Sequence, residues 1–160
     1  MVSGLVLNFL PDLPAAVGGM RDRLRSGGVV AAYVWDYADG MQLLRCFWQA
    51  AVDIDPAAVP LDEGKRFPIN TQSALQSLFR DAGMRPVCCE ALDIATRFES
   101  FADYWQPFTG GTGPAPSYVV SLGEEARTEL RERLRQQLIP GPDGSIELVA
   151  RAWAIRGTAA

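Results

Sequence analysis

The chain has 160 residues, 48% of them hydrophobic, and carries 15 basic against 19 acidic side chains for a formal charge of −4. That is one ordinary domain's worth of chain, apolar enough to bury a core, which excludes a disordered class. No basic block of nucleic-acid type occurs, histidine is absent, and Cys46, Cys88 and Cys89 form no CxxC pair, so histidine-based triads are excluded and no metal site is expected.

The chain opens on Val2-Ser3-Gly4-Leu5-Val6-Leu7-Asn8-Phe9-Leu10-Pro11-Asp12, which reads as the end of a buried strand running into a loop. Asp12 can cap a helix with Pro14 in its first turn, where a missing N–H costs little. Leu13, Val17, Met20 and Leu24 fall on one face of that helix, and Arg21, Arg23 and Arg25 crowd its last turns, where the dipole favours cations. Gly27-Gly28 ends it. Residues 29–35 are then almost continuously apolar, the pattern of a strand covered on both faces, as in a parallel sheet. Helix, glycine stop and strand make the second half of a βαβ unit.

Met41, Leu44, Trp48 and Ala51 mark a second helix, followed by a polar, proline-containing stretch over 53–68. Thr71 can cap a third helix carrying Leu75, Leu78, Phe79 and Ala82, stopped by Gly83. Residues 87–96 read as a strand, in which Cys88 and Cys89 point to opposite faces; all three cysteines read as buried, reduced thiols. Ser100 opens a short aromatic segment with Phe101, Tyr104, Trp105 and Phe108. Gly110-Gly111-Thr112-Gly113-Pro114 follows no strand and reads as a flexible loop that opens no helix. Ser121 and Glu124 form a capping box before a helix with Ala126, Leu130, Leu134 and Leu138 on its apolar stripe and a Glu129–Arg133 pair on its outer face. Pro142-Asp143-Gly144 is a turn, and 145–155 is the last strand. The alternation of strands and helices predicts an α/β class with an aromatic-rich insertion. No stretch is long and apolar enough to span a membrane, and the first residues lack a charged leader, so a cytoplasmic, reducing setting is expected.

Taken in order, these pieces resemble the C-terminal half of a class I S-adenosylmethionine-dependent methyltransferase. The likeness rests on the opening run from Val2 to Asp12 and on Met20-Arg21-Asp22-Arg23-Leu24-Arg25-Ser26-Gly27-Gly28-Val29-Val30-Ala31. It continues through Leu78-Phe79-Arg80-Asp81-Ala82-Gly83-Met84 and the final segment over 144–157. The resemblance implies a partial Rossmann-like sheet in the family's strand order four-five-seven-six, with the last strand antiparallel and helices flanking it. Residues 1–160 would then be a single domain, the acceptor-side part of the methyltransferase domain. The family's glycine-rich loop after its first strand and the acidic residue after its second are not found in these residues, so the N-terminal cofactor-binding half is expected to be absent. Weak or no binding of S-adenosylmethionine by this chain alone follows.

The resemblance also distributes roles. Ser3, Gly4 and Leu5 match positions beside the cofactor's methionine and adenosyl parts, and Asn8 and Phe9 follow in the loop that faces the methyl group. Methyl transfer rests largely on positioning and needs a base only where the nucleophile must lose a proton. With no histidine, Asp36 and Tyr37, just past a strand end, are the candidate catalytic residues. Trp35, Tyr104, Trp105 and Phe108, with Asn8 and Phe9, are candidates to line a pocket for a small-molecule acceptor; core packing is the competing reading for the aromatic ones. Two other functions fit the same residues. One is a non-catalytic partner or dimerisation module in which the exposed first strand pairs with a second copy or with a separately encoded N-terminal half. The other is a small-ligand binding module.

Overall fold

The computed structural model describes residues 1–159. Four strands, β1 (Val2–Gly4), β2 (Val29–Trp35), β3 (Val87–Phe98) and β4 (Ile146–Thr158), form one sheet in the order β1-β2-β4-β3. β1 runs parallel to β2, with Val2 opposite Ala31 and Gly4 opposite Tyr33. β4 runs antiparallel to β2, from the Val29–Thr158 pair to the Trp35–Ala152 pair. The expected strand order and the reversed last strand are both present. The helices are α1 (Leu13–Asp22), α2 (Gln42–Ile54), α3 (Glu63–Arg66), α4 (Gln72–Asp81), α5 (Phe101–Trp105), α6 (Pro114–Ser121) and α7 (Glu124–Gln137).

The chain divides into two compact units, one of residues 1–37, 67–93 and 151–159, the other of 38–66 and 94–150. In the first unit, α1 begins as its cap dictates, with Asp12 Oδ1 accepting the Ala15 N–H at 2.9 Å. α4 begins on Thr71, whose hydroxyl accepts from Ala74. Leu13 and Val17 of α1 and Leu75 and Phe79 of α4 form one core with Val30, Val34, Met84, Cys89 and Ile155. Side chains alternate along a strand, so Val30, Ala32 and Val34 point into this core while Val29, Ala31, Tyr33 and Trp35 point away. Val29 and Tyr33 are 42% and 40% exposed. The expectation that β2 is covered on both faces is therefore corrected: its apolar run hides a period-two pattern, because the outward positions are also apolar.

The second unit packs Phe47, Trp48 and Ala51 of α2 against Tyr104, Phe108, Tyr118, Leu130 and Leu134. Phe47 stacks on Phe108 with ring centroids 4.5 Å apart and meets Trp48 edge-on at 5.0 Å. The polar stretch after α2 is largely helical: Asp55 caps a 3₁₀ segment, Pro56–Leu61, by accepting from Ala57, and α3 follows.

Several sequence expectations are corrected in this unit. The glycine-rich loop does open a helix, α6, with Gly113 at its cap in a positive-φ conformation (94°) and Pro114 in the first turn. Ser121 and Glu124 form no capping box, because α6 extends through Ser121, whose hydroxyl donates to the Tyr118 carbonyl at 2.7 Å. Gly123 caps α7 instead, with no side-chain bond. Arg133 reaches Asp53 at 3.2 Å and forms no pair with Glu129. In the first unit, Cys88 is exposed rather than buried, since it lies on the outward face of β3 while Cys89 faces the core.

Candidate functional site

Because β1 and β2 are parallel and in register, their carboxyl ends emerge side by side, where open α/β sheets place their ligands. The first unit collects most of the sequence-expected site residues here. Ser3 and Gly4 close β1, and each is partly buried. Leu5 follows with φ of 55°, a left-handed conformation that costs a branched residue about 1–3 kcal/mol and clusters at functional sites. Its N–H donates to the Tyr33 carbonyl at 2.8 Å, which ties the turn to β2. A single 3₁₀ turn, Leu7–Phe9, then carries Asn8 inward.

Asn8 is 7% exposed, and its Oδ1 is buried without a hydrogen-bond partner. An amide oxygen left in that state costs about 1–3 kcal/mol. Phe9 is largely exposed and stands edge-on to Phe67 at 5.4 Å, while Phe67 lies 5.1 Å from the ring of Tyr37. Asp36 and Tyr37, just past β2, are both buried, and the Asp36 N–H donates to the Arg151 carbonyl at 2.9 Å. Trp35 is partly buried on the outward side of β2. Phe67 was not singled out from the sequence. Its only signal is an aromatic residue between Arg66 and Pro68, which no periodicity marks.

Tyr104, Trp105 and Phe108 belong to the second unit and its core, where Tyr104 is wholly buried and donates its hydroxyl to the Leu43 carbonyl at 3.1 Å. Burial pushes the Tyr104 phenol above its ordinary range, so it holds its proton. All three are buried, Tyr104 and Phe108 packing on each other and on Phe47, Phe98 and Phe101, and Trp105 lying against Phe108.

The second unit holds a buried ionic network the sequence reading passed over. Arg45 makes a two-pronged contact with Asp62, whose Oδ1 also accepts the Gly64 N–H at 2.8 Å. The Trp48 indole N–H donates to Glu63, which is 5% exposed. Arg45, Trp48 and Asp62 line a cavity of about 420 Å³ together with Asp39 and Lys65. Its only sequence signal is the run Asp62-Glu63-Gly64-Lys65-Arg66, which looks like a solvated turn.

Burial, opposed in part by its own hydrogen bonds, raises the Glu63 carboxyl above the usual glutamate value. The native state therefore holds this proton more tightly than the unfolded chain. The stability that this confers is complete below the ordinary glutamate pKa and is lost as pH rises through the raised one. Glu63→Gln mimics the protonated acid and keeps an oxygen for Trp48. The variant is expected to melt a few degrees above the parent at pH 8, with the gain vanishing near pH 4, as read by thermal unfolding across that range.

Among the described residues, no group of histidine, cysteine, aspartate and glutamate is placed to hold a metal ion, and no helix is long and apolar enough to cross a membrane. No protein-family model matches the chain, and no curated protein matches it in sequence. Solved structures do match. An inferred methyltransferase from Bacillus halodurans C-125 aligns with 98% of this chain and 67% of its own at 11% identity, with a TM-score of 0.50. Phosphoethanolamine N-methyltransferase 2 of Haemonchus contortus, solved with phosphomonomethylethanolamine and S-adenosylhomocysteine, aligns over 99% of this chain and 32% of its own at 9% identity and a TM-score of 0.46. The YcgJ protein of Bacillus subtilis aligns over 99% and 62% at 12% identity and a TM-score of 0.46. The chain thus spans 67%, 32% and 62% of their respective lengths. At these identities the likeness to the Bacillus halodurans protein is one of fold, and it gives this chain a partial Rossmann-like sheet of the methyltransferase kind with flanking helices.

Proposed function

We propose that this chain forms the acceptor side of an S-adenosylmethionine-dependent methyltransferase whose substrate is a small molecule bearing an N–H or O–H group. The observation that carries the reading is the buried, unpartnered Oδ1 of Asn8 beside the left-handed Leu5, at the joint carboxyl ends of β1 and β2. An acceptor oxygen in that position asks for a donor, and an amine or hydroxyl about to be methylated is one. The cofactor would supply a methyl group on a sulfonium centre. Ser3, Gly4 and Leu5 would border it along one edge, Asn8 would orient the nucleophile, and Phe9 and Trp35 would offer apolar walls. Asp36 would take up the proton that the nucleophile loses, with Tyr37 beside it. One edge does not make a complete cofactor site, so this chain alone binds the cofactor weakly.

The test is an amide NMR titration of the 160-residue chain with S-adenosylhomocysteine. Affinity weaker than about 1 mM is expected, which corresponds to less than about 4 kcal/mol. Shifts should be confined to residues 3–9 and 35–37. Asn8→Leu should leave the cofactor shifts in place, since Asn8 is assigned to the acceptor, and should hold the melting temperature unchanged or higher because it removes a buried unsatisfied oxygen. Micromolar binding, shifts centred elsewhere, or a lowered melting temperature in Asn8→Leu would overturn the assignment.

A further inference from the structure

The cavity of about 420 Å³ in the second unit is lined entirely by residues of one stretch, 38–65, and its size falls within the range of about 300–1,000 Å³ common to small-molecule sites. Arg45, Trp48 and Val52 recur at helical spacing, so one face of α2 makes one wall. The lining carries charge of both signs: Arg45 and Lys65 are cations, Asp39 and Asp62 carboxylates. Asp62 is buried and spends its oxygens on the Arg45 fork and the Gly64 N–H, which fixes the guanidinium in place. Two of the five N–H donors of Arg45 go to Asp62, and the others find no acceptor among the described residues, the buried Nε included. Such a pair adds little to stability by itself, which leaves positioning of the guanidinium as its use. Asp39 and Lys65 are exposed, and Lys65 forms no ion pair among the described residues. Trp48, its indole N–H spent on Glu63, joins Val52 and Val59 in an apolar wall.

We propose that this cavity binds a small zwitterionic amino acid with an apolar side chain. Its carboxylate sits against Lys65 and the unspent Nη donors of Arg45, its ammonium against Asp39, and its side chain against Trp48, Val52 and Val59. The balance of charge selects this class. A lone anion would meet Asp39 and Asp62, and a lone cation would meet Arg45 and Lys65; a phosphate dianion would fare worst. A ligand carrying both signs at once satisfies both kinds of wall. A carboxylate offers about four lone-pair sites, so Asp39 accepts the ammonium in addition to its contacts within the chain. The proposal is independent of the methyltransferase reading, since every lining residue belongs to the second unit.

The experiment is an amide NMR titration of the 160-residue chain with three ligands of one shape. These are free phenylalanine, hydrocinnamate, which lacks the ammonium, and phenethylamine, which lacks the carboxylate. Phenylalanine should shift residues 38–65 with a Kd of about 1 mM or below. Each analogue should bind about fivefold more weakly, the worth of one solvent-screened ion pair. Two variants then sort the charges. Lys65→Gln should weaken phenylalanine and hydrocinnamate and spare phenethylamine, with Lys65→Arg restoring the affinity. Asp39→Asn should weaken phenylalanine and phenethylamine and spare hydrocinnamate. Both side chains are exposed, so their replacement leaves the core untouched. Absent shifts with phenylalanine, equal affinities for the three ligands, a variant that weakens all three alike, or shifts centred outside 38–65 would each overturn the proposal.

Discussion

Phe47→Ala is expected to cost about 3–5 kcal/mol in the second unit. Phe47 is fully buried at the centre of that unit's core. It stacks on Phe108, meets Trp48 and Tyr118 edge-on, and joins α2 to the segments after β3. Truncation removes the transfer free energy of a phenyl ring and leaves a void lined by rigid rings, which collapse into it poorly. Because α2 also carries Arg45 and Trp48, the walls of the ionic cavity loosen with it. Against a typical total of about 5–15 kcal/mol, the loss is about a fifth or more of the stability. Urea unfolding should show a lowered midpoint with an unchanged slope, and a slope that falls as well would mean the unfolding had ceased to be two-state. Phe47→Leu, which keeps most of the volume, should recover more than half of the loss; if the two variants behave alike, ring stacking rather than volume sets the cost.

The fold was legible where a local rule and a tertiary demand agree. Asp12, the following Pro14 and the spacing of Leu13 and Val17 fix α1, and β2 occupies the expected residues 29–35. The two-sided burial of β2 is misread because Val29 and Tyr33 are nearly as apolar as Val30 and Val34: composition cannot tell a core face from an outward one. The capping box failed for a different reason. Ser121 and Glu124 have the right spacing, but Leu122 and Gly123 are extended, so the serine ends one helix rather than starting the next. At the candidate site, the strand-end position of Leu5, Asn8 and Asp36 was readable, whereas the left-handed turn at Leu5 and the orphaned oxygen of Asn8 depend on three-dimensional packing. The Arg45–Asp62 and Trp48–Glu63 pairs join residues 17 and 15 apart across a proline-bearing segment, a separation with no periodic signature.

Gly157→Ala should destabilise the first unit by about 1–3 kcal/mol, although it adds one methyl group to a β-strand, where alanine is normally the better residue. Gly157 pairs with Val30 in the middle of the sheet and faces α4. A Cβ there would stand 2.8 Å from both Cβ and Sδ of Met84 and 3.2 Å from the Phe79 ring, and both of those side chains are fully buried. The sulfur could swing aside, but the Met84 Cβ is fixed to the backbone, so the strand or the segment after α4 must move. Gly18 supplies the internal control. It lies inside α1 with nothing within 4 Å of its virtual Cβ, so Gly18→Ala should stabilise by about 0.5–1 kcal/mol through helix propensity alone. The same chemical change thus carries opposite signs at two positions, decided by whether a neighbouring backbone can yield. Equal effects of the two substitutions in chemical denaturation would mean that Met84, in the segment after α4, is not seated on β4 as closely as 2.8 Å demands. The core of the first unit would then be looser than its mutual burial of Phe79, Met84 and Ile155 requires.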